Sequence, residues 1–186
     1  YLQELSIKWN EALAKQKTWQ IEGVNQQERF YNDNIKYGRK ERVFVIISDA
    51  LRYESAEELS TRLRNERKAK VELDYMQGVL PSYTKLGMAA LLPNKKIEIN
   101  SNYDVLVDGI NSNGTENRDK ILKVENDKSL AITYNKLMDL KEAEFRKVFS
   151  GLEVVYIYHN TIDAIGDHAS TEREVFSATD TALNEL

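Results

Sequence analysis

A chain of 186 residues, 41% apolar and 30% charged, is long enough for one domain with a substantial core. Its formal net charge of -4 excludes a basic protein that coats a nucleic-acid duplex, though not an enzyme that meets phosphates through metals. The lack of cysteine excludes disulfides and thiolate metal sites, so ligands must come from Asp, Glu, hydroxyls and two histidines, His159 and His168.

No apolar run approaches the roughly 20 residues of a spanning helix, and Tyr1-Leu2-Gln3-Glu4 is not a secretory leader. A cytoplasmic protein without membrane attachment is the expectation. The chain opens on Tyr1 inside a helical pattern and stops on Leu186 inside another, which reads as a piece of a longer protein.

Leu2, Leu5, Trp9, Ala12 and Leu13 recur at three- and four-residue steps and predict an amphipathic helix packed through Trp9. A weaker helix is expected from Arg29 to Tyr37, ended by Gly38, with Arg39 to Arg42 as a polar run-in. Val43-Phe44-Val45-Ile46-Ile47 then switches abruptly to Ser48-Asp49. A largely β-branched run of this kind suits a central parallel strand buried on both faces. A helix follows from Tyr53 to Arg64. Functional groups in open α/β sheets sit just past the carboxyl ends of strands, which is where Asp49 falls. A carboxylate there needs a cation or hydrogen bonds; the plainer reading is a cap on the following helix.

Lys70 to Tyr75 alternates polar and apolar residues, the pattern of a half-exposed or edge strand. Pro81 and Pro93 bracket a short apolar helix, with Ser82 and Thr84 at its start, where hydroxyls and free backbone N–H groups can seat a phosphate. Ile97 to Ile99 and Val105 to Val107 read as a hairpin, and Asn111 to Gly114 as a turn before a helix that starts at Thr115. Leu130 to Tyr134 reads as a strand, and one helix carries Leu137, Leu140, Phe145, Val148 and Phe149 up to Gly151. Val154 to Tyr158 is a second apolar strand, and a last helix spans Thr171 to Leu186. Alternating strands and helices favour a layered α/β sheet.

Beyond the second apolar strand, His159-Asn160-Thr161-Ile162-Asp163-Ala164-Ile165-Gly166-Asp167-His168 concentrates two carboxylates and two imidazoles. Singly, each group has a plain explanation as a cap or turn. Together with Asp49 and Thr84 they fit a hydroxyl nucleophile beside oxygen-liganded divalent cations.

Three of these stretches, Ile47 to Glu54, Pro81 to Thr84 and Tyr158 to Asp167, resemble the PglZ domain of BREX phage-defence systems, in the alkaline phosphatase superfamily. Val107 to Ile110 and Gly114 to Arg118 resemble it too. The resemblance implies an alkaline-phosphatase-like layered α/β/α sheet, truncated and preceded by N-terminal helices. Residues 1–38 would form the helical segment and 39–186 the N-terminal part of the PglZ domain.

It further implies Asp49, Thr84, Asp163 and Asp167 as metal ligands, with Thr84 as nucleophile or bridging hydroxyl and Ser82 as the lesser candidate. Zinc is the first expectation for the metal, ahead of manganese or magnesium. Superfamily phosphodiesterases carry Asp-x-x-Gly-His where this chain has Asp163 to Asp167, so Asp stands in the place of His. The downstream Asp-His-Gly that completes the superfamily's site has no counterpart before Leu186, and Asp167-His168-Ala169 is a poor substitute. The expectation is therefore part of a phosphatase or phosphodiesterase acting on phosphate esters, nucleic-acid backbones among them, with little activity in this piece alone. Other BREX proteins would be its partners. The rival is a non-catalytic interaction module with the same fold.

Overall fold

The computed structural model describes residues 1–36, 41–66, 69–168 and 172–186. In chain order the helices and strands are α1 (Leu2–Ala14), α2 (Phe30–Asn34), β1 (Val43–Ser48), α3 (Tyr53–Glu66), α4 (Thr84–Ala90), β2 (Ile97–Ile99), β3 (Val105–Val107), β4 (Ile110–Asn111), α5 (Thr115–Glu125), β5 (Ser129–Thr133), α6 (Tyr134–Met138), α7 (Glu142–Phe149), β6 (Val154–His159), α8 (Thr161–Gly166) and α9 (Val175–Glu185). The result is a mixed α/β layered fold of the alkaline-phosphatase-like kind, with helices ahead of the first strand.

A three-stranded sheet in the order β1-β6-β5 is parallel throughout, so all three strands point their carboxyl ends the same way. Ser48 pairs with His159, which aligns the tips of β1 and β6. A second, antiparallel sheet orders β2-β3-β4. The core lies between the sheets and α4 and α5: Leu86, Met88, Ala89 and Ala90 of α4, Val105 and Val107 of β3, Ile121 and Leu122 of α5, and Tyr156 of β6. Two polar contacts fasten these layers. Tyr156 Oη donates to the Leu91 carbonyl at 2.7 Å, and the Ala131 N–H of β5 donates to Asp119 Oδ1 of α5 at 2.8 Å.

Several expectations change. The apolar strand β1 is not central and not buried on both faces: it lies at one edge of its sheet, with Phe44 50% and Ile46 48% exposed. The central strand is β6, all six residues of which are buried. No strand forms at Lys70 to Tyr75. The alternation is present, but among the described residues the one pairing nearby is a single bridge from Gln26 to Gln77, and an unpaired segment cannot build a ladder.

The long helix expected from Leu137 to Phe149 is two. Glu144 Oε2 accepts the Lys141 N–H at 2.8 Å, half of a capping box that restarts the helix. The Trp9 stripe is not buried: α1 has no buried residue, Trp9 is 51% exposed, and its ring meets that of Trp19 edge-on at 6.0 Å between centroids. The weaker helix begins with a 3-10 turn at Gln27–Arg29 and runs as α2 to Asn34; Tyr37 to Lys40 lie outside the described residues, as do Ala169 and the Thr171 start of the last helix. The hairpin gains a third strand, β4, and the Asp163 motif forms the short helix α8.

Candidate functional site

Because β1, β6 and β5 are parallel, the groups that follow them converge on one side. They border a cleft of about 470 Å³ whose lining includes Asp49, Thr84, Arg118, Tyr158, His159 and Thr161. Asp49 follows β1 directly, and its N–H donates to the His159 carbonyl at 2.9 Å. Its Oδ1 accepts the Ala50 N–H at 3.0 Å. Ala50 itself is held at φ 62°, a left-handed conformation that costs a non-glycine residue about 1–2 kcal/mol. The strained turn swings the chain away and leaves Asp49 at the cleft. Asp49 does not cap α3, which begins only at Tyr53.

Burial pushes the Asp49 carboxyl above its ordinary value; the Ala50 N–H and the Arg118 charge oppose the rise, and Asp167 adds to it. Asp163, in the first turn of α8, is likewise raised, by burial first and then by Asp49 and Asp167. Asp167 is the exposed C-cap of α8. Asp49 and Asp163, from two remote segments, thus each feel a neighbouring carboxylate's charge.

Thr84 is the exposed first residue of α4. The cap position belongs to Tyr83, so the Thr84 hydroxyl is not engaged as a cap. Ser82 is exposed and does not line the cleft. Arg52 faces Glu54 at 3.9 Å, both largely exposed, and His168 is exposed.

His159 is not a turn former. It is 1% exposed and both ring nitrogens are engaged: Nδ1 lies 2.9 Å from Ser48 Oγ, and Nε2 lies 2.8 Å from Glu185 Oε2. Thr161 Oγ1 donates to the same Glu185 oxygen at 2.7 Å. The Tyr134 ring meets the imidazole edge-on, at 5.0 Å and 85°. Burial pushes Glu185 up, but the hydrogen bonds from Thr161 and His159 outweigh it and hold the carboxyl below its usual value.

Arg118 was missed by sequence reasoning. Its guanidinium carbon sits 4.5 Å over the Tyr158 ring centroid, and its Nε donates to the Ser112 carbonyl at 3.0 Å. Those two contacts fix the fork in place beside Asp49. Its place in Gly114 to Arg118 was a signal, but nothing local to that stretch tells a cleft cation from a surface one.

A parallel α/β sheet with a carboxylate- and hydroxyl-rimmed cleft at its strand ends defines a class: a layered α/β protein with a polar site at the open end of the sheet. The chain belongs to the PglZ family, matching the BREX system PglZ alkaline phosphatase-like domain over residues 27–186. It is 50% identical over 190 residues to the alkaline phosphatase-like protein PglZ of Bacillus cereus, and 50% identical over 195 residues to the alkaline phosphatase-like protein BrxZ of Escherichia coli. Each alignment covers 100% of this chain, and the chain spans 22% of the length of each relative. No solved structure matches it. Among the described residues no helix is long and apolar enough to cross a membrane.

The donors at the cleft suit a hard divalent cation in kind. They include the Asp49 carboxylate and the Thr84 and Thr161 hydroxyls. Asp163 and Asp167 are not among the lining residues, though Asp49 and Asp163 both have their proton affinity raised by burial and by neighbouring negative charge, which a bound cation would reverse. They do not close around a single point: among the described residues no three His, Asp or Glu side chains come together as a complete metal-holding group.

Proposed function

We propose that this chain contributes part of a metal-dependent phosphohydrolase centre in a BREX protein, acting on phosphate esters. One observation carries the reading. Asp49 and Thr84, remote in sequence, line one cleft together with Arg118, and the Asp167 carboxylate bears on both Asp49 and Asp163.

Asp49, Asp163 and Asp167 would hold divalent cations, zinc before manganese or magnesium. Such ions, when bound, supply a Lewis acid that offsets charge on a transferring phosphoryl group. Arg118, held by the Tyr158 ring and the Ser112 carbonyl, presents its remaining N–H donors to phosphate oxygens. Thr84 Oγ attacks phosphorus and gives up its proton, and the ester P–O bond breaks with its electron pair on the departing oxygen, which takes up a proton. Water then adds to phosphorus, breaking the Oγ–P bond and returning a proton to Thr84. Residues 1–38 would act as the segment leading into the domain, 39–186 as its N-terminal part, in a cytoplasmic protein. Nucleic-acid backbones fall within the substrate class, and other BREX proteins are the expected partners.

The test is hydrolysis of an aryl phosphate mono- or diester by the gene product as encoded, with zinc, manganese or magnesium supplied. Thr84→Ala should lower kcat by about a thousandfold or more if Thr84 is the nucleophile. A loss below about tenfold would assign the attack to water.

A second reading, a non-catalytic interaction module of the BREX assembly, is favoured by the apolar face that Phe44, Ile46 and Phe145 leave exposed. Metal-supplemented protein that hydrolyses neither ester, and whose Asp49→Asn variant assembles normally, would favour it.

A further inference from the structure

Beside the cleft runs a part-buried polar chain, centred on the buried His159, that the proposed chemistry does not use. It starts at Glu185, near the end of α9, and divides. One arm runs from Glu185 Oε2 to His159 Nε2 at 2.8 Å, then from His159 Nδ1 to Ser48 Oγ at 2.9 Å. The His159 carbonyl accepts the Asp49 N–H at 2.9 Å, so this arm ends on the backbone of Asp49. The other arm is the 2.7 Å hydrogen bond from Thr161 Oγ1 to the same Glu185 oxygen, and Thr161 Oγ1 lies 3.1 Å from His159 Nε2, so the two arms touch where they leave Glu185. Thr161 is the first residue of α8, the helix that carries Asp163.

The chemistry of the arms is set by Glu185. An ionised carboxylate only accepts, so His159 Nε2 carries the proton given to it, and Nδ1 shares a hydrogen with the Ser48 hydroxyl, which can donate or accept. Every member then has a donor or acceptor of the right kind. Burying an imidazole beside a carboxylate that keeps 26% of its side chain exposed gains little over packing apolar side chains in its place. What the polar chain adds is direction, because each hydrogen bond fixes an angle that an apolar contact leaves soft.

We infer that Glu185 is a positioning residue whose two arms set the separation of Asp49 from Asp163, and with it the spacing of oxygen donors at the cleft. It touches neither carboxylate. It acts through His159 and Ser48 on one side and through Thr161 on the other. For its effect on metal affinity the inference rests on the metal reading above; for its effect on Asp49 it stands alone.

The experiment compares Glu185→Ala and Glu185→Gln with wild type in the gene product as encoded. Two quantities are read: manganese affinity by titration calorimetry, and hydrogen exchange at the Asp49 amide in metal-free protein. Glu185→Gln keeps an oxygen that accepts from both His159 and Thr161, and should stay within about threefold of wild type in both. Glu185→Ala should weaken manganese binding by about 10–100-fold and speed Asp49 exchange by about tenfold or more. Unchanged Asp49 exchange in Glu185→Ala overturns the inference, as does a glutamine variant that falls as far as the alanine one.

Wild type that binds no manganese overturns the metal reading alone, and the Asp49 exchange then decides the positioning role. Should Glu185→Ala fail to fold, Thr161→Val removes the second arm and the 3.1 Å contact of Thr161 Oγ1 with His159 Nε2, while the Glu185–His159 bond remains. It should weaken manganese binding by a larger factor than it speeds Asp49 exchange, and the reverse order would contradict the inference.

Discussion

The strands β1 and β6 read almost alike as sequence, yet the fold treats them differently. Val43-Phe44-Val45-Ile46-Ile47-Ser48 and Val154-Val155-Tyr156-Ile157-Tyr158-His159 pair residue for residue, Ile46 against Ile157. Ile157 is 6% exposed and Ile46 is 48% exposed, on neighbouring strands of the same sheet. Hydrophobicity of a strand therefore marks its fitness for the interior, while its place in the sheet is decided by what pairs with it. The strand β6 has a neighbour on each side; β1 has one.

The matched pair offers the sharpest test of this difference. Ile157→Ala removes a buried side chain and should cost about 2–5 kcal/mol in urea unfolding. Ile46→Ala, half in water already, should cost about 1 kcal/mol or less. Equal losses would mean that β1 is covered as fully as β6 in solution.

A smaller effect is expected where β6 fastens to the layer above it. Tyr156→Phe leaves the part-buried Leu91 carbonyl without its 2.7 Å donor and should cost about 1–2 kcal/mol. Val45, opposite Tyr156 on β1, has an apolar side chain and no polar anchor of this kind to lose.

The smallest effect concerns the strand tips and has the opposite sign. Asp49 and Asp163 titrate above the ordinary carboxylate value of 3.8 in the folded state. The folded protein then binds these protons more tightly than the unfolded chain. Stability is lost as pH rises through the raised values, because the charges form against burial and against each other. In metal-free protein Asp163→Asn should therefore gain on wild type with rising pH. Solvent screening at this half-exposed site limits the gain to about 1 kcal/mol. Urea midpoints measured from acid to neutral pH would show the difference, and a gain that shrinks toward neutral pH would contradict it.

Much of this was legible from local pattern, and the reasons for the rest are physical. The tips of β1 and β6, the start of α4 and the Asp163 motif stand out because a buried run that ends in polar residues is a short-range signal. Lys70 to Tyr75 shows where such a signal fails: alternation is local, but a strand needs a partner that alternation does not name. The edge position of β1 was hidden for the same reason. At the cleft, Asp49 and Thr84 could be singled out from their own neighbours, whereas Arg118 and Glu185 could not. Glu185 lies 26 residues from His159, and only the docking of α9 brings the two together. His159 was visible as a chemical group, but with both nitrogens already engaged it is a structural junction rather than an open ligand.

The left-handed Ala50 beside Asp49 has a consequence for which residues the turn can accept. Glycine would relax the bend and asparagine would tolerate it, while valine or isoleucine would collide with their own backbone and force the peptide to rotate. A saturation library at position 50 should therefore sort by backbone shape and not by polarity. Its survivors would be those that leave the preceding carboxylate aimed as it is.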